Sequence, residues 1–378
     1  MTSPHVPHVR GISHTPRPQV LSLLERLDAD RDLTGRGVVL ALVDSGFYPH
    51  PDLMRPERRL LVYVDAARAE PLADDFLTGR PASWHGTMTT CVAAGNGYLS
   101  GGRYRGLASE ARVVLIKCTD ERSAVRARHV AHAVRLPLRH PELGVRLLNV
   151  SVGVDADDPD VPDLLAAVRE VTDQGVTVFA AAGNRDGAPP EAPASSPHAI
   201  TVGGWDDANT RDPADDTLFP GNRGGGKPDL LAPAVWLPAP MLPGTPEARE
   251  AAAMFQLVSV LAEALERSEL SGPGSALSDR DRASVEATLA AATARVRHQK
   301  FISPDYQHVE GTSFAAPITA SVAAQMLEVD PTLTPALLRE GLLSTAKRIE
   351  GIPLSAQGAG LLQPAAAVWW VRGRKDRR

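Results

Sequence analysis

Apolar residues along the chain follow two alternating patterns. Continuous apolar runs rich in Val, Leu and Ile occupy 37–46 (GVVLALVDSG), 59–65 (RLLVYVD), 111–118 (ARVVLIKC), 145–153 (VRLLNVSVG), 175–184 (GVTVFAAAGN) and 198–204 (HAITVGG). A strand covered on both faces loses the usual apolar–polar alternation, so each run reads as a buried strand. Stretches with helical spacing lie between several of them, at 86–95, 122–136 and 160–174. Strands alternating with helices predict an α/β fold, a three-layer sandwich around a mostly parallel central sheet.

The flanks read differently. Residues 1–17 are rich in His and Pro and form an irregular leader. In 18–30, Val20, Leu21, Leu24 and Leu27 fall at helical spacing and predict a short helix, after which Gly35 and Gly37 break the pattern. Beyond GKPDLLAPA (226–234) the strand–helix alternation stops. Residues 245–270 predict a long helix with an apolar stripe at Met254, Leu257, Val258, Leu261 and Leu265. SGPGSALS breaks it, and 278–300 predict a second helix with Ser278 as N-cap and Arg, His and Lys in its last turn. The expected organisation is a leader at 1–35, one domain at 36–370 with a helical hairpin inserted at 245–300, and a solvated basic tail at 371–378.

Composition narrows the functional classes. Of 378 residues, 43% are apolar and 22% charged, which suits a globular enzyme and excludes a disordered chain. A net charge of −5 gives no general attraction to nucleic acid or to an anionic membrane, and no stretch approaches the roughly 20 apolar residues of a membrane span. Neither is therefore expected as a partner. Cys91 and Cys118 lack metal-ligand spacing and read as buried thiols of a reducing compartment. The first twenty residues contain no apolar core of the signal-peptide kind, and a cytoplasmic location is expected.

In open parallel sheets ligands gather at the carboxyl ends of the strands, so polar residues closing the apolar runs are the first candidates for chemistry. Asp44 ends VVLALVD, where it could cap the following turn or serve a reaction. His85, in SWHGTMTTCVAAG, could cap or pack a helix start. Asn184 ends VFAAAGN, where asparagine serves turns but also offers an amide donor. Ser313, in VEGTSFAAPITAS, opens a helix whose start is fixed nearby by Pro317. A helix N-terminus presents unpaired N–H groups and the positive end of the macrodipole, which stabilise a developing oxyanion.

Asp, His and Ser, each in a Gly-flanked motif at an element end and in that chain order, follow the subtilisin-type order of a catalytic triad. The sequence resembles the subtilase family of serine proteases, of peptidase S8 type. VDSG (43–46), HGT (85–87), AAAGN (180–184) and GTSFAAP (311–317) match its signature regions in order, and KPDLLAP (227–233) resembles a further segment. The resemblance covers roughly 37–234 and 301–370. It implies a serine endopeptidase acting on protein or peptide, with Asp44, His85 and Ser313 as the triad. Asn184 and the Ser313 backbone N–H would form the oxyanion hole. It further implies that Ser151, Val152 and Gly153 of NVSVG, with Ala182 and Gly183, bind substrate. No cofactor is implied beyond calcium, for which Asp52 and the loop at Asn96 match a ligand region of many subtilases, although GNGYLSGGRYRG carries two arginines that disfavour a cation.

The sequence departs from the family at several points. Met88 replaces a second histidine and Phe314 a methionine, both read as packing changes. The leader is too short for a globular propeptide, and HTPRPQV, with Pro16 and Pro18, is expected to lie across the active site. The hairpin at 245–300 could be decoration, or could cap the cleft and recruit a substrate protein. Arg185 and Asp186, after the oxyanion asparagine, could set a charge preference or be solvated. Two further functions fit the same motifs: a macrocyclase or transpeptidase, in which an amine resolves the acyl-enzyme, and a catalytically silent peptide-binding pseudo-protease.

Overall fold

A computed structural model describes residues 20–68, 70–71, 82–185, 187, 189–221, 227–270 and 277–375. One sheet contains β1 (Val39–Asp44), β2 (Leu60–Asp65), β3 (Glu70–Pro71), β4 (Arg112–Lys117), β5 (Val145–Val150), β6 (Thr177–Ala181), β7 (Ile200–Asp206), β8 (Thr217–Leu218) and β9 (Leu230–Pro233). Its order is β3-β2-β4-β1-β5-β6-β7, with β8 and β9 both paired to β7, and only the short β3 and β8 run antiparallel.

The unbroken apolar runs have a direct cause in the layering. In β1, Leu40 and Leu42 enter one core while Ala41 and Val43 enter the other. In β4, Val113 and Leu115 face the first core and Val114 and Ile116 the second. Both pleats are covered, so both must be apolar.

The helices are α1 (Leu23–Arg26), α2 (Pro51–Met54), α3 (Ser83–Ala94), α4 (Ala127–Val134), α5 (Leu136–Arg139), α6 (Val161–Asp173), α7 (Pro246–Leu270), α8 (Asp279–His298), α9 (Thr312–Val329), α10 (Pro335–Ser344), α11 (Leu354–Gln357) and α12 (Pro364–Lys375). The α3–α9 pair covers one face of the sheet and α4 with α6 the other, giving the three-layer α/β sandwich. Helix α9 is buried from Thr312 to Leu327, and its small residues let it lie close against the sheet. β1 continues toward β2 and β5 toward β6, on opposite sides, which opens a crevice at the carboxyl ends of this adjacent pair.

The structure corrects several boundaries. The helix expected over 18–30 is only Leu23–Arg26, closed by a Ser22–Glu25 capping box, while the Leu21 N–H donates to Asn209 rather than continuing a helix. Residues 20–35 are part of the body: Arg26 pairs with Asp207, and the amides of Thr34 and Gly35 donate to Glu328. At the other end, the expected tail boundary falls inside α12, because Val368 and Val371 are buried and Arg372 meets Asp30. The helix expected over 122–136 begins at Ala127, since Asp120 accepts the amides of Arg122 and Ala124 in a turn. The leader segment 14–19, with Pro16 and Pro18, lies outside the described residues, as does 376–378.

The hairpin is rooted on a second, two-stranded sheet. β10 (Leu237–Pro240) and β11 (Tyr306–Val309) pair antiparallel, so α7 and α8 leave and return at one place. Ala251 and Val296 enter the main core, and Glu250 bonds Arg295 at 2.5 Å across the base. Farther out, the two helices pack on each other and leave Val260 and Leu270 exposed. No helix among the described residues is long and apolar enough to cross a membrane.

Candidate active site

Asp44 is the last residue of β1, and His85 stands in the first turn of α3. A glycine lets these two elements touch: a Cβ on Gly86 would lie 2.3 Å from the Gly46 carbonyl oxygen and 2.9 Å from the Asp44 Cβ. With that close approach, His85 Nδ1 reaches Asp44 Oδ1 at 2.7 Å. The buried carboxylate also accepts the Ser45 N–H at 2.7 Å and the Thr89 hydroxyl at 3.0 Å, which offsets its desolvation. On the far side of the ring, Nε2 lies 3.0 Å from Ser313 Oγ. Trp84 and Phe314 flank the imidazole with ring centroids at 5.2 and 5.7 Å. Burial pulls the His85 pKa down, the charge and hydrogen bond of Asp44 push it up, and the net position is above the ordinary imidazole value.

Ser313 is the second residue of α9, and Pro317 controls how that end is tied down. Proline has no N–H, so the Ser313 carbonyl loses its partner four residues on. Ser151 replaces it: its Oγ donates to the Ser313 carbonyl at 2.8 Å and accepts from Asn149 Nδ2 at 2.8 Å. The end of β5 is thereby bolted to the start of α9. Asn184 is held from the same helix, since its Oδ1 accepts both the N–H and the hydroxyl of Thr312 at 2.9 Å. The Thr312 hydroxyl in turn accepts the Gly183 N–H at 3.1 Å.

Gly311, with φ +129°, forms the floor between the two groups. A Cβ there would stand 3.3 Å from Asn184 Nδ2 and 3.3 Å from Ser313 Oγ, so the glycine keeps that space open.

The family model of the subtilase family (peptidase S8) matches residues 35–360. The chain belongs to the subtilase family. Serine protease AprX of Bacillus subtilis (strain 168) is 30% identical over 353 residues, covering 89% of this chain and 67% of AprX. Minor extracellular protease Epr of the same organism is 26% identical over 47% of this chain, which spans only 25% of Epr's length. Among solved structures, fervidolysin from Fervidobacterium pennivorans superposes with a TM-score of 0.63 at 18% identity, over 97% of this chain and 49% of fervidolysin. A protease from Pseudoalteromonas arctica gives 0.60 at 19% identity, over 93% of this chain and 95% of that one. These low identities speak for the subtilisin-like fold. Family and relatives make this subtilase a serine-type endopeptidase.

The remaining sequence candidates of the subtilase lie just past the ends of the adjacent strands β5 and β6. Ser151, Val152 and Gly153 leave β5, with Ser151 buried and Gly153 exposed, and Ala182 and Gly183 leave the neighbouring β6. Arg185 is exposed, and Asp186 lies outside the described residues. The structure adds groups that motif reading passed over: Thr89, Thr312 and Asn149 each hold a candidate residue in place. Thr312 carried a visible signal, since it stands within GTS. Met88 is buried beneath β11, with Gln307 Nε2 at 3.8 Å from its sulfur.

The calcium expectation does not fit the residues at Asp52 and Asn96. Both Asp52 carboxylate oxygens already accept, from the Leu99 N–H at 3.1 Å and the Tyr306 hydroxyl at 2.6 Å. Asn96 Oδ1 accepts the Tyr98 N–H at 3.1 Å. Arg59 brings a positive charge of its own, donating to the carbonyls of Asp52 at 2.6 Å, Ala94 at 2.5 Å and Ala111 at 3.2 Å. Oxygens that would ligate a hard cation are thus occupied by N–H and O–H donors. His50 and Cys91 lie near Asp52, and burial with the Asp52 charge pushes the Cys91 thiol well up.

Proposed function

We propose that Ser313 is the nucleophile, His85 the general base and acid, and Asp44 the group that orients the imidazole. The observation that carries this reading is the single imidazole bridging a buried carboxylate at 2.7 Å and a serine hydroxyl at 3.0 Å. His85 takes the Ser313 proton at Nε2 as Oγ bonds to the scissile carbonyl carbon. It then gives that proton to the leaving amine as the C–N bond breaks. A water loses a proton to the same nitrogen, attacks the acyl-enzyme and returns Ser313 to its hydroxyl form. Asp44 accepts the Nδ1 proton in a hydrogen bond throughout and stabilises the imidazolium, without itself becoming protonated.

Charge on the tetrahedral oxygen falls to the Asn184 side-chain amide and the Ser313 backbone N–H, which lies in the unpaired first turn of α9. The Thr312 bonds to Asn184 Oδ1 support this role, because they leave the amide nitrogen as the end that faces the reaction. Ser151–Gly153 and Ala182–Gly183 flank the peptide substrate. Action in a reducing compartment, the cytoplasm, is supported by Cys91 and Cys118, both free and buried.

Hydrolysis and acyl transfer to an amine differ in the group that resolves the acyl-enzyme. Peptide digestion in heavy-oxygen water, read by mass spectrometry, tests the choice. Hydrolysis places the heavy oxygen in each new carboxyl end, and ligated or cyclic products without it would overturn this reading in favour of a transpeptidase. Unchanged peptide would favour the pseudo-protease.

A further inference from the structure

We infer that a cavity at the opposite end of the sheet from Asp44, walled by Arg31, Arg59, Arg103 and Arg105, binds a small polyphosphate anion. The inference does not depend on the proposed catalytic role of Ser313. The cavity measures about 610 Å³, within the range of small-molecule sites. Glu57 and Arg59 line it just before β2, and Ser109 and Glu110 just before β4. Both strands run parallel within the sheet that contains β1, whose far end carries Asp44. The six residues of β1, roughly 20 Å of strand, therefore separate the two places.

The arginines are held by neutral acceptors. Arg103 Nη2 donates to the Val20 carbonyl at 3.0 Å, and Arg105 Nη2 to the Arg31 carbonyl at 2.7 Å. Arg59 uses its Nη groups on three carbonyls, while its buried Nε–H has no acceptor among the described residues. Arg59 is only 9% exposed, and a buried donor without an acceptor is costly. Neither Arg31 nor Arg105 has a carboxylate within ion-pair distance among the described residues.

Two of the three carboxylates in the lining are committed. Glu110 Oε2 accepts the Thr34 hydroxyl at 2.5 Å and Arg36 Nε at 2.9 Å. Glu25 Oε2 accepts the N–H and hydroxyl of Ser22 at 2.9 and 2.8 Å in the α1 capping box. Only Glu57, which is exposed, is left to oppose the positive charge. Gly101 and Gly102, at φ +62° and +85°, bring bare backbone to the lining, and an added Cβ on either would meet nothing within 4 Å. Guanidinium groups bind phosphate oxygens through paired, charge-assisted hydrogen bonds, and linked phosphates can engage several of them at once. Arg103 and Arg105, which oppose a cation in the GNGYLSGGRYRG loop, favour an anion for the same reason.

The test is calorimetric titration of the full chain with inorganic tripolyphosphate, without divalent cations and at fixed ionic strength. Saturable binding at one site is expected, tighter than for orthophosphate, with a thermal midpoint that rises as the anion is added. Arg31→Ala and Arg105→Ala should each weaken binding by about tenfold, and Glu57→Gln should strengthen it. Arg31 is exposed, so its removal leaves the fold intact even if Arg105→Ala does not. Arg105→Lys keeps the charge without the planar fork and should fall between wild type and Arg105→Ala. Ser313→Ala should bind as the wild type does, which keeps the result separate from the catalytic reading. Absence of saturable binding at millimolar tripolyphosphate overturns the inference. So does binding unmoved by Arg31→Ala and Arg105→Ala in variants with native thermal melting, or citrate that binds as tightly as tripolyphosphate.

Discussion

The side-chain oxygen of Asn184 accepts the backbone N–H of Thr312 at 2.9 Å, so the helix that carries Ser313 also aims the amide that stands beside it. One rigid element thus sets both the proposed nucleophile and the proposed oxyanion donor. Replacing Asn184 with Ala is expected to lower kcat by roughly 10²–10³-fold, the magnitude known for this donor in subtilisins and carried over here, with little change in KM. Thr312→Val removes only the hydroxyl bond to Asn184 and its acceptance of the Gly183 N–H. A smaller loss, again in kcat rather than KM, is expected from steady-state kinetics.

The pH profile follows from the sign of the His85 shift. Its folded pKa lies above the ordinary value of about 6.5, because Asp44 outweighs the opposing desolvation. The proposed base works as neutral imidazole, so kcat/KM should rise with pH through a midpoint above that value. Asp44→Asn removes both raising contributions and leaves desolvation, so the midpoint should move below it while the plateau falls by roughly 10⁴-fold. The same raised pKa adds stability below the unfolded value of His85 and loses it as pH rises through the folded one.

Arg59 is expected to do structurally what a bound cation would do at Asp52. Its guanidinium joins three carbonyls from separate segments, and Arg59→Ala would take a donor from each of them beside a buried carboxylate, leaving the Asp52 carbonyl with only the Asn96 N–H. Chemical denaturation should register a loss of about 2–5 kcal/mol. Chelator should shift the thermal midpoint of the wild type by no more than about one degree, since a ligand lost from the native state would lower it.

Gly86→Ala tests the close approach of α3 to β1. An added methyl 2.3 Å from the Gly46 carbonyl oxygen must push the helix away and stretch the His85–Asp44 contact. Overpacking of this kind costs about 1–3 kcal/mol. Kinetics should show a fall in kcat larger than that stability loss would produce through unfolding alone.

Much of this could be read from the chain because the physics was local. β1 declared itself through Leu40–Val43, apolar at every position since both faces are buried, and Asp44, His85, Asn184 and Ser313 announced themselves as polar ends of apolar elements. The misreadings share a cause in tertiary contact. Leu21 and Leu27 have helical spacing, yet Asn209 takes the Leu21 amide and Asp207 takes Arg26, so only one turn forms. β10 contains Pro238 and Pro240, which argue against a strand, and its partner β11 returns only after the hairpin. Arg59, in a run of arginines and glutamate, looks like surface, and acquires meaning only from what folds against it.

Active-site labelling tests the central claim most directly, that Ser313 reacts under the control of His85. Wild-type protein treated with a fluorophosphonate is expected to gain one adduct, mapped by mass spectrometry to Ser313. Ser313→Ala should gain none, and His85→Ala should label far more slowly, with peptide hydrolysis falling in both variants by up to about 10⁶-fold, as in subtilisins. An adduct on another residue, or peptide hydrolysis that persists in Ser313→Ala, would contradict the account.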